Sequence, residues 1–292
     1  MAGSAAESQP GAQNDHHAHP ATIEVDAQAT ENDSSYGREL STYTASLTSS
    51  ALAYRHENGR RYHAYRDGTD EYPSAEVIGN DLSPIQPTMV PPNLRFLVDD
   101  IEAEWVDDGT PYDFIHARYL CYSIKDFKKL LKQCYKHTKP GGWVEFQDWD
   151  ALARSEDGSM KGTALEKYYE ACIPAFEKAG YPTRPGPHLE EWFREAGFVD
   201  IHVQKYRVPG GPWPKDQYYM ANFQLPQKNI GTWMLLNLES AYRAAAMAVL
   251  TRFESWKPEE VEVLAAGALR DIKNPKIHAL ADFYVVYGRK PE

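Results

Sequence analysis

The stretch Ala75-Glu76-Val77-Ile78-Gly79-Asn80-Asp81-Leu82-Ser83 decides the fold of this chain. It is an apolar run that contains a small residue, Gly79, and ends on an acid, Asp81. Such a run is typical of a buried parallel strand that delivers a carboxylate to its carboxyl end, where open α/β sheets bind ligands. The stretch therefore predicts a strand of an α/β sheet with Asp81 at the ligand-binding edge.

A second strand with the same ending follows along the chain. After a turn that holds four prolines, Leu94-Arg95-Phe96-Leu97-Val98 is again apolar and is followed by Asp99-Asp100-Ile101. The prolines prevent a helix of useful length in the connection. Acids at the ends of two neighbouring strands suit the ribose diol and the adenine amino group of a nucleoside. We therefore expect Asp81 and Asp100 to lie at one edge of the sheet.

The remaining chain alternates strands and helices. Residues 114–117 predict a third strand, residues 124–136 a covering helix, and residues 143–148 a strand that follows the turn signal Pro140-Gly141-Gly142. Residues 199–208 and 278–287 predict two strands that form an antiparallel edge. Helices are predicted at 163–179, where Pro174 should kink or break the helix, at 186–196 with a stop at Gly197, across 213–254, and at 258–274.

Composition restricts the class of protein. The 292 residues can bury one sizeable core with appendages. A net charge of -11 argues against nonspecific nucleic-acid binding, and no apolar run approaches the roughly 18 residues of a membrane helix. The three cysteines suggest neither a disulfide framework nor a metal site. With no secretory signal at the N-terminus, we expect a soluble protein of the cytoplasm or nucleus.

Domain boundaries follow from shifts in composition. Residues 1–35 are polar and predict a disordered tail, in which His16, His17 and His19 are solvated. Residues 36–70 predict an N-terminal helix and a polar, basic connector. The domain proper is expected over 71–292, with a helical insertion at about 213–274.

Five segments stand in a fixed order after the predicted N-terminal helix. They are Tyr62-His63-Ala64-Tyr65-Arg66-Asp67-Gly68, Glu71-Tyr72-Pro73-Ser74-Ala75-Glu76-Val77-Ile78-Gly79, Asp81-Leu82-Ser83-Pro84-Ile85-Gln86-Pro87, Tyr112-Asp113-Phe114-Ile115-His116-Ala117-Arg118 and Lys139-Pro140-Gly141-Gly142-Trp143. In this order they resemble consecutive motifs of the fungal LaeA-like class I methyltransferases. The resemblance implies a Rossmann-like α/β sheet, S-adenosylmethionine as cofactor, a small-molecule or protein methyl acceptor, and a link to secondary metabolism.

One part of the family pattern is not present in the sequence. Family members carry a first strand and a loop of the type Asp-x-Gly-x-Gly-x-Gly between the first two segments, whereas here Arg66-Asp67-Gly68-Thr69-Asp70 runs directly into Glu71. Glycines let such a loop turn tightly and approach the ligand without a Cβ in the way. A lone Gly59 upstream cannot supply this. We therefore predict a sheet without its first strand, which exposes neighbouring strand edges, and weak or no cofactor binding.

The resemblance assigns roles to particular residues. Asp81 would accept the ribose hydroxyls and Asp100 the adenine amino group, with Leu82 and Ile101 packed on the adenine. His116, Ala117 and Arg118 would lie beside the methyl donor, and His116 is a candidate general base, although a packed structural histidine is an equal alternative. Both acids have the alternative role of turn caps. Substrate-side candidates at the same edge are Tyr119, Tyr122, Asp148 and Trp149.

Three hypotheses of function remain open at this point. The first is an S-adenosylmethionine-dependent methyltransferase that needs no metal, since methyl transfer from a sulfonium can rely on positioning and desolvation. The second is a non-catalytic relative that binds a velvet-type regulatory protein. The third is an error in the gene model that omitted an exon, so that the sequence lacks the loop.

Overall fold

The described part of the chain forms a mixed α/β structure with three separate sheets, of two, two and four strands. The four-stranded sheet is called the larger sheet below. The computed structural model describes residues 23–26, 55–57, 60–62, 74–86, 90–106, 109–215 and 227–292. A short antiparallel hairpin, β1 (Arg55–Glu57) and β2 (Arg60–Tyr62), comes first. This hairpin lies where the sequence predicted only a connector.

The two acid-bearing stretches are strands of a sheet of their own. β3 (Val77–Asp81) and β4 (Leu94–Val98) pair in parallel, with Asp81 opposite Val98, as predicted. Gly79 permits this packing, because a Cβ there would come 2.4 Å from the ring of Phe96. The prediction that the strands are buried was wrong, since Val77 and Val98 are 44% and 59% exposed. Their pair has no further strand partner within the described ranges, so little covers them.

The larger sheet has four strands in the order β5-β6-β8-β7. β5 (Tyr112–Arg118) pairs in parallel with β6 (Thr138–Arg154), and β8 (Leu280–Arg289) is antiparallel to both β6 and β7 (Val199–Pro209). The predicted antiparallel edge is confirmed. Within the part of the chain that the structure describes, β5 has a partner on one side only. The expectation that a missing first strand exposes neighbouring strand edges stays a prediction.

The segment Pro140-Gly141-Gly142 does not reverse the chain as a turn. It lies inside β6, where Gly141 adopts a φ of 75° and the register against β5 shifts. The amide of Gly141 and the carbonyl of Gly142 bond Lys290, beyond the end of β8. The glycines therefore form an irregularity in a long strand rather than its start.

The described part of the chain contains five α-helices. They are α1 (Phe127–His137), α2 (Ala164–Lys178), α3 (Leu189–Ala196), α4 (Gln227–Phe253) and α5 (Pro258–Ile272). A short 3₁₀ turn (Gly186–His188) precedes α3, which ends at Gly197 with a φ of 103°. One core lies between the sheet and α1 and α3, around Phe146 and Phe193. The other lies among α2, α4 and α5, around Leu165 and Leu250.

Two sequence expectations about the helical part need correction. α2 continues through Pro174 without a break, because the buried residues of the helix, such as Leu165 and Cys172, fix it against the core. The predicted helix from residue 213 begins only at Gln227 among the described residues, and Trp213 belongs instead to an extended segment whose neighbour Pro214 pairs with Val25.

The prediction of a disordered tail over residues 1–35 does not hold for residues 23–26. Ile23 is 8% exposed and packs with Trp213 and Leu280, while Asp26 forms an ion pair with Lys228. The apolar side chains of Ile23 and Val25, together with the buried cation of Lys228, stabilise this short segment. The rest of that tail, with its histidines, and the predicted N-terminal helix lie outside the described residues. Of the helices described, none is long and apolar enough to cross a membrane.

Candidate active site

Asp81 and Asp100 stand at the same edge of the β3–β4 sheet. The strands are parallel, and the Asp99 amide donates to the carbonyl oxygen of Asp81 at 3.0 Å, which joins the two strand ends. Each carboxylate also accepts a local N–H: Asp81 from Ser83 at 2.9 Å and Asp100 from Glu102 at 2.9 Å. The acids thus cap their own turns and still have lone pairs for a ligand.

The loop that follows Asp100 is fastened to α1. Gln133 is buried, its Oε1 accepts the Trp105 amide at 2.9 Å, and its Nε2 donates to the carbonyl oxygen of Ala103 at 2.8 Å. Glu102 accepts the amides of Lys125 and Asp126 just before the helix. These bonds tie the acid-bearing sheet to the larger one.

The two residues expected to pack on adenine differ in environment. Leu82 is 70% exposed and is available to a ligand. Ile101 instead packs against the core around α1, and its carbonyl oxygen accepts the Trp105 indole N–H. Asp81, Asp100 and Leu82 are the described residues that would contact the adenosine half of S-adenosylmethionine, and this role stays a prediction. The described residues offer no row of glycine amides for the methionine half.

The end of β5 carries the remaining predicted cofactor residues. His116 Nδ1 lies 2.9 Å from Glu145 Oε1 on the neighbouring strand, and this contact is the main cause that lowers the pKa of Glu145. Ala117 packs into the core, while Arg118 is exposed. His116 is held by Glu145 on a partly exposed face, so its role as a general base stays a prediction.

A strained loop follows β5. Tyr119 and Tyr122 have φ angles of 64° and 67°, a left-handed conformation that costs about 1–2 kcal/mol for such residues. Buried Asp148 holds this backbone, because its carboxylate accepts the amides of Leu120 and Cys121. Strain of this kind is concentrated at functional sites. The substrate-side candidate Asp148 is therefore a positioning residue for the two tyrosines.

Both tyrosines line a cavity of about 190 Å³ between the sheet and helices α2 and α4. Small side chains create this space. Ala151 and Ala153 follow Trp149 on one face of β6, Ala281 lies on β8, and Ala245 lies on α4. The cavity includes Tyr119 and Tyr122, just after the end of β5, and Ala151 and Ala153 near the end of β6, the edge at which α/β sheets bind ligands.

The walls of the cavity are aromatic and uncharged. Tyr168 and Tyr242 have ring centroids 4.6 Å apart, and Tyr122 lies 4.5 Å from Phe176. The Tyr168 hydroxyl donates to the Tyr242 carbonyl oxygen at 2.9 Å. Burial raises the pKa of every titratable lining group, so all are neutral at pH 7. These groups are Tyr119, Cys121, Tyr122, Tyr168, Tyr169, Cys172 and Tyr242.

Sequence reasoning found only part of this cavity. Tyr119, Tyr122 and Trp149 were candidates, whereas Tyr168, Tyr169 and Tyr242 were not. The signal for Tyr168 and Tyr169 was present, since they share a helix face with Leu165 and Cys172. Which side of that face meets a cavity depends on how α2 packs on α4. A second hollow, lined by Ser255, Trp256, Glu259, Glu260 and Val263, is largely exposed.

No metal site accompanies the cavity in the part of the chain that is described. No group of three or more His, Cys, Asp or Glu side chains there could hold an ion. The three cysteines are all buried and unpaired with one another.

Comparison with known proteins identifies relatives over nearly the whole chain. Residues 66–203 match a family described as a methyltransferase domain. The chain is 33% identical to methyltransferase pytC of Aspergillus terreus, over 92% of this chain and 95% of that protein. It is 35% identical to the secondary metabolism regulator LAE1 of Cochliobolus heterostrophus, over 77% of this chain and 72% of that protein.

Two further features of these comparisons concern length and structure. The match to pytC runs over 326 aligned positions, more than the 292 residues of this chain, so pytC contains residues without a counterpart here. Among solved structures, a sarcosine dimethylglycine methyltransferase described as putative, from Galdieria sulphuraria, is 13% identical over 92% of both chains, with a TM-score of 0.42.

Proposed function

This chain belongs to the fungal LaeA-like class I methyltransferases, whose cofactor is S-adenosylmethionine, and on that premise we propose that its methyl acceptor is a small molecule held in the aromatic cavity. The observation that carries the proposal is the place of the cavity at the carboxyl ends of β5 and β6, beside the loop of Tyr119 and Tyr122. The names of the relatives support an acceptor from secondary metabolism.

The two halves of the proposed site are unequally complete. The acceptor half has a formed cavity and a loop fixed by Asp148. The cofactor half has Asp81 and Asp100 at one sheet edge, but the sequence offers no glycine loop to approach the methionine part. We therefore expect this chain to bind S-adenosylmethionine weakly.

Calorimetric titration with S-adenosylmethionine tests the proposal. We expect no saturable binding below about 1 mM, because only the adenosine contacts remain. A matched variant receives, between Asp70 and Glu71, the pytC residues that lie between the corresponding motifs. This variant should bind in the low-micromolar range. Tight binding by the unmodified chain would refute the prediction that it binds S-adenosylmethionine weakly. A folded insertion variant that still fails to bind would refute the methyltransferase proposal.

The lack of the glycine loop favours a second candidate function. We propose as the alternative a non-catalytic protein that binds a velvet-type regulator. Co-expression with such a regulator, followed by size-exclusion chromatography, tests this candidate. A stable complex formed by a chain that binds no S-adenosylmethionine supports it, and separate elution of the two proteins contradicts it. Sequencing of the transcript tests the omitted exon.

A further inference from the structure

We infer that the cavity selects a neutral, planar aromatic molecule of one or two rings and rejects charged ligands of the same size. This inference names the substrate class of the acceptor site and so rests on the proposed function. It is carried by the volume of the cavity, by its lining and by the charges around it.

The volume restricts the size of the ligand. A cavity of about 190 Å³ is somewhat larger than the roughly 150 Å³ engineered cavity that holds benzene. One or two fused rings therefore fit, whereas a peptide or a nucleotide does not.

The lining favours a flat ring. The rings of Tyr168 and Tyr242 are tilted by 33° with centroids 4.6 Å apart, and Tyr119 meets the indole of Trp149 edge-on with centroids 5.6 Å apart. Aromatic rings gain from stacked or edge-to-face contact beyond the area that they bury. Ala151, Ala153 and Ala245 contribute small side chains to the same lining. A saturated ring system of similar size would lose the aromatic contacts.

The charged groups around the cavity are already compensated by the protein. Asp150 accepts two bonds from Arg184, both at 2.7 Å, and Asp282 is paired with Arg154 and Lys205. Asp148 is held by backbone amides behind the loop. No charged side chain is part of the cavity lining in the described structure. An anionic or cationic ligand would be desolvated there without a partner, which is costly.

One polar atom of the lining has no partner in this structure. The Nε1 of Trp149 is buried without a hydrogen-bond acceptor, whereas the hydroxyls of Tyr168 and Tyr169 bond Tyr242. An indole N–H is a donor only. Tyr119 is a neighbour of this indole and its hydroxyl interacts with it, so an oxygen atom of a ligand would compete with the Tyr119 hydroxyl for the donor. A hydroxylated ring system is therefore a suitable probe.

Binding of 2-naphthol, measured by calorimetry without S-adenosylmethionine, tests the inference. We expect saturable binding of 2-naphthol, and at least about 100-fold weaker binding of 2-naphthalenesulfonate and of 2-naphthylmethylammonium, which carry a charge on the same rings. Decahydro-2-naphthol, which is not planar, should also bind more weakly. Equal binding of the charged probes, or no binding of 2-naphthol by the folded protein, would overturn the inference.

A pair of matched variants locates the binding. Ala245→Leu fills the cavity and should abolish 2-naphthol binding, while Ala244→Leu, on the exposed side of the same helix, should leave it unchanged. Circular dichroism confirms that both variants are folded. Equal affinities of the two folded variants would place the binding elsewhere and contradict the inference.

These outcomes are independent of the cofactor. Binding of 2-naphthol by a chain whose insertion variant fails with S-adenosylmethionine would leave the cavity inference standing and remove the methyltransferase proposal. Cofactor binding by the insertion variant, without selectivity for the neutral ring, would leave the methyltransferase proposal standing and remove the cavity inference.

Discussion

Gln133 holds the main chain of Trp105: its Oε1 accepts the Trp105 amide at 2.9 Å. The same side chain donates to the carbonyl oxygen of Ala103, so a single buried amide satisfies both a donor and an acceptor of the loop after Asp100. Amide geometry allows this, because one end accepts and the other donates. The position of Asp100 relative to the larger sheet therefore depends on a residue of α1.

Gln133→Ala should loosen this loop. The substitution leaves the buried partners of the amide without bonds, and we expect a loss of about 1–3 kcal/mol in the free energy of unfolding, measured by urea denaturation. Lys132→Ala, on the exposed side of α1, is the control and should change stability by less than about 0.5 kcal/mol. Equal stability of the two variants would show that the bonds to Gln133 contribute nothing.

The carboxyl group of Asp148 should make stability depend on pH. Burial raises its pKa from 3.8 to about 6, although the amides of Trp149, Leu120 and Cys121 act in the opposite direction. Because the folded pKa lies above the unfolded one, the contribution of this group is full below about pH 4 and is lost as the pH rises through 6. The loss amounts to roughly 2–3 kcal/mol.

Denaturation of the native chain and of Asp148→Asn between pH 5 and 7.5 checks this dependence. The variant cannot titrate, so its unfolding free energy should fall less over this interval. The asparagine side chain also turns an NH₂ group toward a backbone amide, so we expect the variant to be less stable by about 1–3 kcal/mol at pH 5. Parallel curves for the two proteins would mean that Asp148 titrates normally.

The strands could be predicted because their signals are local. The apolar run that ends on Asp81 and the one before Asp99 predicted both strands and their parallel pairing, since a strand's period and its acidic end are visible within a short window of sequence. The order of residues 23–26 had a weaker signal of the same kind, the alternation Ile23-Glu24-Val25. It was masked by the polar composition around it.

The cavity could not be predicted because it arises from packing between distant elements. Ala151 and Ala245 are ordinary small residues in their own strand and helix. Only the packing of α4 on β7 and of α2 on β6 brings both into the lining of one cavity. The burial of Asp148 is of the same type, since its partners belong to the loop after another strand. Contacts between elements that are distant in the chain cannot be read from a single sequence.

Pro174 should cost stability even though α2 continues through it. Proline lacks the amide for the bond to Glu170, four residues earlier, and its ring crowds that carbonyl. Pro174 is exposed, so Pro174→Ala removes no buried contact. We expect the free energy of unfolding, measured by thermal denaturation, to rise by about 1–2 kcal/mol. This gain already allows for the greater conformational freedom of the unfolded chain without the proline. Lys167→Ala, also exposed on α2, should have almost no effect, and a loss of stability in Pro174→Ala would show that the proline packs favourably.

Gly231→Ala should destabilise the chain, although alanine is the better helix former. A Cβ at this position would lie 2.1 Å from the carbonyl oxygen and 2.6 Å from the carbonyl carbon of Gly211, and backbone atoms cannot rotate away as a side chain can. The helix propensity gains about 1 kcal/mol, whereas overpacking costs typically about 1–3 kcal/mol, so the clash should dominate.

Urea denaturation of Gly231→Ala measures this balance, with Ser240→Ala on the exposed side of α4 as the control. We expect a net loss of about 1–2 kcal/mol for the first and a change within about 0.5 kcal/mol for the second. Because α4 forms one wall of the cavity, the displaced helix should also weaken 2-naphthol binding. A stabilised Gly231→Ala protein with unchanged binding would mean that α4 does not lie against Gly211 in solution.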